Sequence, residues 1–200
     1  MAVWQDLVAI VVAYMIGCIA TAYYVVRLRT GQDIRQLGSG NVGGRNAGRV
    51  LGRAGFAIVA VVDALKGLLV VLFARYLGAG EWTMALVMLA VLAGHIWPAQ
   101  LGFRGGKGAA TFIGALAGYN VMIALLTAGV FVLLFAILRS FTLAGLLALV
   151  LTPFGMLLLG QSQFEIIVVA VLVLLVIFAH RENLRTKFQG RDHASRPHAH

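Results

Sequence analysis

Charged residues are scarce in this chain of 200 residues, and it contains a single cysteine. Charged residues make up 12% of the sequence and hydrophobic residues 61%, which gives a mean hydropathy of +0.94. A soluble domain of this length is far less apolar. The composition therefore predicts one compact helical membrane domain over residues 1–200. The lone Cys18 cannot supply a disulfide framework.

Basic residues are absent from the N-terminal segment. No Lys or Arg precedes Arg27, so the segment lacks the basic region of a cleaved signal peptide, and residues 4–26 are predicted to remain as a span. Across the whole chain, only seven acidic residues leave a formal net charge of +9. The cations occupy short loops between apolar runs, which is typical of membrane proteins that obey the positive-inside rule. We therefore expect membrane lipids as partners and no nucleic acid.

Apolar runs of spanning length follow one another along the chain. They cover residues 4–26, 56–77, 82–99, 109–138, 142–160 and 164–179. At 1.5 Å per residue the run 109–138 would be about 45 Å long as a helix, which exceeds a hydrocarbon core of ~30 Å. A break at Tyr119-Asn120 would divide it into two spans, the first of them short.

The positions of the cations favour that division. With seven spans, the N-terminus lies outside, the C-terminus is cytoplasmic, and the inner loops hold 14 of the 16 Lys and Arg residues. These are Arg27, Arg29, Arg35, Arg45, Arg49, Arg53, Arg104, Lys107, Arg139, Arg181, Arg185, Lys187, Arg191 and Arg196. A single span over 109–138 would turn Arg139 and the basic tail outward. The sequence therefore predicts an all-α, polytopic membrane protein with seven transmembrane helices.

The first polar cluster is GSGNVGGRNAGR, residues 38–49, between the first two apolar runs. Its glycines allow backbone N–H groups to approach an anion, and its polar side chains add hydrogen-bond donors and a fixed charge. The candidate ligand-binding residues are Gly38, Ser39, Gly40, Asn41, Gly43, Asn46 and Arg49. The glycine spacing matches GxGxxG, but that dinucleotide motif requires a preceding strand. The alternative is a flexible inner loop that carries topogenic arginines.

The second cluster, residues 94–111, contains GGKG directly before a predicted helix start near Ala109. Free N–H groups at a helix start bind phosphate readily. The candidates are His95, Gly105, Gly106, Lys107, Gly108 and Thr111. This is not a Walker A motif, because no Ser or Thr follows Lys107 and no strand precedes it. The alternative is an interfacial Trp-Pro helix end with a topogenic Lys/Arg pair.

Two further polar features complete the set. The segment HRENLRTKFQGRD, residues 180–192, follows the last apolar run and supplies the candidates His180, Arg181 and Asn183. The alternative is a basic tail that binds anionic headgroups.

Asp63 and Lys66, three residues apart in the second run, can pair on one helix face. They either neutralise each other within the bundle or serve a site, since ionisable groups in membranes are costly. With no cluster of Cys or carboxylates beside the histidines, a metal site is not expected.

In combination, these motifs resemble one family, the bacterial integral-membrane glycerol-3-phosphate acyltransferases that use acyl phosphate as donor. The matching segments are GSGNVG–N–R (residues 38–49), D–K–G (63–67), GH–P–F–GGKG–AT (94–111) and HR–N–R–G (180–190), in the family's order and at its spacing. This chain departs from the usual family residues at four points: Gly44-Arg45 stands for Ala-Thr, Cys18 for Ser, Arg104 for Lys and Asp192 for Glu.

The resemblance implies a seven-helix fold in the bacterial inner membrane with a cytoplasmic active site. It implies transfer of an acyl group from acyl phosphate to sn-glycerol 3-phosphate, which yields 1-acyl-sn-glycerol 3-phosphate (lysophosphatidic acid) and phosphate, with no metal or organic cofactor. The expected catalytic residues are Ser39, His95, Lys107, His180 and Asn183. The other candidates named above, including Asp63 and Lys66, are expected to bind substrate.

The residues themselves leave two questions open. The proton of the attacking hydroxyl can pass to His180, to His95 or to an oxygen of the donor's own phosphate. A transporter of phosphorylated metabolites is an alternative function, although its site would be expected near the midplane of the membrane. A scaffold that binds anionic lipid is a third, but it does not explain Ser39, Asn46 and His95.

Overall fold

The computed structural model describes residues 3–182 and residue 185, and these residues form helices and connecting turns without any strand. The α-helices are α1 (Val3–Gly17), α2 (Thr21–Thr30), α3 (Gly44–Tyr76), α4 (Glu81–Ile96), α5 (Ala109–Tyr119), α6 (Val121–Leu138), α7 (Phe141–Leu158) and α8 (Gln163–Ala179). Five segments are long and apolar enough to cross a membrane: Val3–Thr30, Gly44–Tyr76, Glu81–Leu101, Val121–Leu138 and Phe141–Leu158. Two shorter apolar helices are α5 and α8.

The first apolar run, predicted as a span over residues 4–26, lies within a segment long and apolar enough to cross a membrane, Val3–Thr30, but it is not one continuous helix. The helix ends at Gly17 and resumes at Thr21. Lys66 Nζ donates hydrogen bonds to the carbonyl oxygens of Gly17 (3.2 Å) and Ile19 (2.8 Å), and the Gln100 side chain donates to the carbonyl of Cys18. These donors satisfy backbone groups that a break in an apolar environment would otherwise leave unpaired.

Two other helix boundaries refine the predicted runs. The predicted break at Tyr119-Asn120 is confirmed: α5 ends at Tyr119, and the side chain of Asn120 caps α6 by accepting from the N–H of Ile123 at 3.2 Å. The second span begins earlier than predicted, at Gly44 instead of residue 56, and bends at Gly52, where φ is +73°. Part of the predicted glycine-rich loop is therefore the first turns of a helix.

Contacts between helix ends show that successive apolar segments run back and forth. The starts of α1, α4 and α8 meet the end of α5 at one end of the bundle, through Asp6–Thr83, Trp82–Phe164 and Tyr119–Glu165 contacts. The loop before α3 meets the loop before α5 at the opposite end, where Arg35 donates to the carbonyl of Leu101 at 3.0 Å. The starts of α3 and α7 meet there as well, through Arg45 and Thr142.

Small residues bring α3 and α5 into close contact. A Cβ atom at Gly67 would overlap the carbonyl of Thr111, and one at Gly114 would overlap the carbonyl of Ala64. Backbones that approach this closely are typical of helix pairs in membranes, where small residues line the interface. The pair α6 and α7 packs chiefly on itself and leaves a cavity between it and the α3–α5 pair.

Candidate active site

A cavity of about 750 Å³ lies among α3, α5, α6 and α7. One end is polar and is lined by Ser39, Asn41, Arg45, Arg49, Lys107 and His180. The rest of the wall is largely apolar, with Phe56, Ile113, Phe131, Phe141, Leu146 and Leu149 among its residues. The site is therefore amphipathic, with a cationic head region that continues into a hydrophobic region.

Asn46 organises the segment that forms one wall of the polar end. Its buried side chain accepts a hydrogen bond from the Ser39 N–H (2.9 Å) and donates to the carbonyls of Ile34 (3.2 Å) and Leu37 (2.9 Å). Gly38 has φ +55°, and a Cβ there would overlap the Asn46 amide oxygen. Asn46 thus acts as a scaffold that holds Ser39 at the cavity mouth, while Gly38 and Gly40 supply the turn.

The start of α3 contributes to the same wall. Gly43 is the residue before the helix, and its carbonyl accepts from the N–H groups of Asn46 and Ala47, each at 3.0 Å. Gly43, Gly44 and Arg45 all line the cavity. The positive end of the helix dipole is therefore directed at the space where an anionic group would lie.

The opposite wall is the segment before α5. Gly108 adopts φ +82°, and the first N–H groups of α5 lack intrahelical acceptors, as at any helix start. Lys107 lies beside them and is partly buried. Its burial, together with the charges of Arg45 and Arg181, lowers the pKa of the Lys107 ammonium, whereas Glu182 acts in the opposite direction. Two helix starts and several cations thus face one cavity, an arrangement that binds phosphate.

Gly105 and Gly106 support this wall from behind. Their N–H groups donate to the carbonyls of Ile96 and His95, each at 3.0 Å, and so fold the segment back onto the end of α4. A Cβ at Gly106 would overlap the imidazole of His95. These glycines therefore position the loop, and neither of them lines the cavity.

His180, directly after α8, faces the cavity with one ring nitrogen already committed. Its Nδ1 lies 2.8 Å from the carbonyl oxygen of Val176, and because a carbonyl only accepts, Nδ1 carries the proton. The second nitrogen, Nε2, is then the acceptor. Burial, with smaller effects from the charges of Lys107 and Arg45, lowers the pKa of His180, so the imidazole is neutral at pH 7.

The ionisable residues deeper in the bundle form a buried network. Asp63 Oδ1 lies 2.9 Å from Lys66 Nζ, accepts from Thr21 Oγ1 at 2.8 Å, and is 3.7 Å from His95 Nδ1. Asp63 and His95 reach the cavity wall, whereas Lys66 does not. The structure therefore places Lys66 in the break of the first segment, bonded to backbone carbonyls instead of facing the space for a substrate.

The structure places many, but not all, of the predicted site residues on the wall of the cavity. Those on the cavity wall are Ser39, Asn41, Gly43, Asn46, Arg49, Asp63, His95, Lys107, Gly108 and His180. Those away from it are Gly38, Gly40, Lys66, Gly105, Gly106, Thr111 and Arg181. Thr111 is fully buried against α3, and its hydroxyl has no hydrogen-bond partner in the structure. Asn183 lies outside the described residues.

Other residues that line the cavity were not predicted as site residues. The aromatic rings of Phe56, Phe131 and Phe141 line the cavity, as do Arg45 and Thr142. Within the described part of the chain, no group of three or more His, Cys, Asp or Glu side chains is arranged to hold a metal ion. In the described part of the chain, helices long and apolar enough to span a membrane surround a cationic, amphipathic cavity, which defines the class of helical integral membrane proteins with a cavity suited to an anionic amphiphile.

Comparison with known proteins identifies the family within that class. The chain belongs to the glycerol-3-phosphate acyltransferase family, whose model matches residues 7–190. It is 42% identical over 180 residues to glycerol-3-phosphate acyltransferase 1 of Desulfitobacterium hafniense (strain Y51), covering 90% of this chain and 89% of that protein. It is 38% identical over 197 residues to the glycerol-3-phosphate acyltransferase of Clostridioides difficile (strain 630), covering 96% of each.

Solved structures show the same fold. PlsY (YgiH), an integral membrane glycerol 3-phosphate acyltransferase, superimposes in its glycerol 3-phosphate form with a TM-score of 0.87 at 32% identity, over 94% of each chain. Its lysophosphatidic acid form superimposes with a TM-score of 0.84 at 30% identity, over 94% of this chain and 93% of that one. The family resemblance predicted from the motifs is confirmed, as is the all-helical, integral membrane character of the fold.

Proposed function

We propose that this protein transfers an acyl group from acyl phosphate to sn-glycerol 3-phosphate, giving 1-acyl-sn-glycerol 3-phosphate and phosphate as a step of phospholipid synthesis. The observation that carries the proposal is the amphipathic cavity, whose polar end has two helix starts and several cations and whose remaining wall is apolar. Both substrates and both products bear phosphate, and two of these four molecules also bear a long acyl chain. The polar end of the cavity is complementary to the phosphates, and its apolar wall is complementary to the acyl chain.

The polar end provides the groups that the reaction requires. Lys107 and the N–H groups at the start of α5 stabilise the negative charge that develops as the acyl carbonyl is attacked and phosphate departs. Phosphate is a good leaving group, so no covalent acyl-enzyme is needed. Ser39, held by Asn46 at the mouth, and Asn183 orient glycerol 3-phosphate; metal and organic cofactors have no role in this scheme.

Of the candidate protein bases, His180 is the better placed. Its Nδ1–H is fixed on the carbonyl of Val176, and Nε2 is free to accept the proton of the glycerol hydroxyl as that oxygen attacks the acyl carbon. His95 is buried, and its Nδ1, which has no hydrogen-bond partner in the structure, lies towards Asp63. The departing phosphate remains the alternative acceptor in the scheme.

For the membrane arrangement we propose seven spans, with the N-terminus outside, the C-terminus in the cytoplasm, and the active site at the cytoplasmic face of the bacterial inner membrane. In this arrangement α1 and α2 together form the first span, and α3 to α8 form one span each. The alternation of helix ends and the concentration of cations in the loops around the cavity support it. Residues 1–200 form one domain in this proposal.

Accessible cysteines test the topology. In a Cys18→Ala background, Gly80→Cys and Gln161→Cys are expected to react with a membrane-impermeant thiol reagent added to intact cells, because their loops lie outside. Ser140→Cys and Ala194→Cys are expected to react only after the membrane is opened. Labelling of Ala194→Cys in intact cells would contradict the proposed orientation.

Donor selectivity tests the reaction. Purified protein in detergent is expected to form lysophosphatidic acid from palmitoyl phosphate and glycerol 3-phosphate, and none from palmitoyl-CoA and glycerol 3-phosphate. The two donors carry the same acyl chain, so the comparison isolates the activating group. Product is measured by mass spectrometry, with heat-unfolded protein as the control. Robust turnover of the thioester, or none of either donor, would show the proposed reaction to be wrong.

A further inference from the structure

The contacts between α3 and α7 are concentrated at the polar end of the cavity. The guanidinium of Arg45, at the start of α3, donates to the hydroxyl of Thr142 and lies 5.9 Å from the ring centroid of Phe141. The ring of Phe56 on α3 meets the ring of Phe141 edge to face, with centroids 5.9 Å apart. Arg45 therefore lies where the cationic end of the cavity passes into its aromatic wall.

The boundary between the cationic end and the aromatic wall matches the position of the phosphate in an acyl phosphate. In an acyl phosphate, the phosphate is separated from the alkyl chain by a single carbonyl group. When the chain occupies the apolar region beside Phe131 and Phe141, the donor phosphate must lie at the boundary between the polar and the apolar wall. Glycerol 3-phosphate carries no such chain, and its phosphate is under no such constraint.

The partners of Arg45 leave its charge available for an anion. Among the described residues, the guanidinium contacts a neutral hydroxyl and an aromatic ring, and it forms no salt bridge. A guanidinium forms stronger and better-directed hydrogen bonds with a phosphate than with a hydroxyl, because its planar fork matches two phosphate oxygens. The side chain is exposed and free to exchange one acceptor for the other.

We propose that Arg45 binds the phosphate of the acyl donor and so sets the affinity of this enzyme for acyl phosphate. The guanidinium releases Thr142, takes two phosphate oxygens, and stays packed against Phe141 above the first carbons of the chain. The charge of Arg45 also acts on Lys107 and His180, which places it within electrostatic range of the reacting groups. This assignment rests on the proposed reaction and adds a donor-specific residue to it.

Steady-state kinetics with each substrate varied in turn test the assignment. Arg45→Thr is expected to raise the KM for palmitoyl phosphate about 10- to 100-fold, which corresponds to ~1.4–2.8 kcal/mol, as expected for the loss of a hydrogen bond to a charged group. The KM for glycerol 3-phosphate at saturating donor is expected to change little. Arg45→Lys keeps the charge but loses the fork, so its donor KM should lie between those of the wild type and Arg45→Thr.

Two further variants separate donor binding from other roles. Arg53→Thr removes an exposed cation of α3 that does not line the cavity, and both KM values should stay as in the wild type. Thr142→Val removes the resting partner of Arg45 but leaves the guanidinium free for phosphate, so the donor KM should not rise. The assignment is wrong if Arg45→Thr raises the KM for glycerol 3-phosphate instead of the donor KM, or if it leaves both KM values unchanged. It is also wrong if Thr142→Val raises the donor KM as much as Arg45→Thr does. A wild-type protein inactive with palmitoyl phosphate would instead contradict the proposed reaction.

Discussion

Replacement of Lys107 by alanine is expected to remove nearly all acyl transfer while the protein stays folded. Lys107 is the cation beside the start of α5 on the cavity wall, and Gly108, which also lines the cavity, leaves room for phosphate to approach the backbone there. Loss of one charged group that stabilises the transition state typically lowers turnover by about 10²–10³-fold. The measurement is the rate of lysophosphatidic acid formation at saturating palmitoyl phosphate and glycerol 3-phosphate.

Arg104 provides a matched control three residues away. Its side chain is exposed and does not line the cavity, so Arg104→Ala should retain most of the activity. Both variants are compared at equal amounts of folded protein, judged by thermal unfolding in detergent. Near-normal turnover of Lys107→Ala would mean that the lysine serves only membrane topology, since the other inner cations would remain to fulfil that role.

The second large effect is expected on stability, from Asp63→Ala. Asp63 is the partner of the Lys66 ammonium at 2.9 Å, and both side chains are buried. Removal of one member of a buried ion pair leaves an uncompensated charge and costs about 3–5 kcal/mol. For a protein of this size we expect a fall in the thermal unfolding temperature on the order of 10 °C.

A double variant tests the reason for that loss. Asp63→Ala combined with Lys66→Met removes both charges, so the part of the loss that comes from the uncompensated ammonium should return. The carbonyls of Gly17 and Ile19 lose their donor in this variant, so its unfolding temperature should lie between those of Asp63→Ala and the wild type. Asp6→Ala is the control, since Asp6 accepts a single hydrogen bond from Thr83 at the opposite end of the bundle. If Asp63→Ala abolishes turnover and leaves the unfolding temperature unchanged, Asp63 serves the substrate and not the bundle.

The sequence predicted the helical membrane fold because hydropathy and charge patterns report directly on membrane crossing. The division at Tyr119-Asn120 followed from length, since a continuous helix over 109–138 would have been too long, and from the positions of the cations. The break after Gly17 was missed because Cys18 and Ile19 are as apolar as their neighbours. That break depends on hydrogen bonds from Lys66 and Gln100, which are distant in sequence, and no local pattern reports such contacts.

The polar part of the site was largely predictable, and the apolar part was not. Ser39, Lys107 and His180 stand out against a hydrophobic chain, and all three line the cavity. Phe131 and Phe141 line it too, but in the sequence they look the same as residues that face lipid. Only the packing of α6 and α7 away from α3 distinguishes the two environments.

A crystal structure with glycerol 3-phosphate and a non-hydrolysable alkyl phosphonate analogue of the donor tests the proposed site most directly. Both anionic groups are expected at the polar end of the cavity, one of them within hydrogen-bond distance of Lys107 Nζ and the first N–H groups of α5. The alkyl chain is expected between α3 and the α6–α7 pair, beside Phe56, Phe131 and Phe141. Phosphate groups bound elsewhere, with the cavity occupied by neither molecule, would contradict the proposed site.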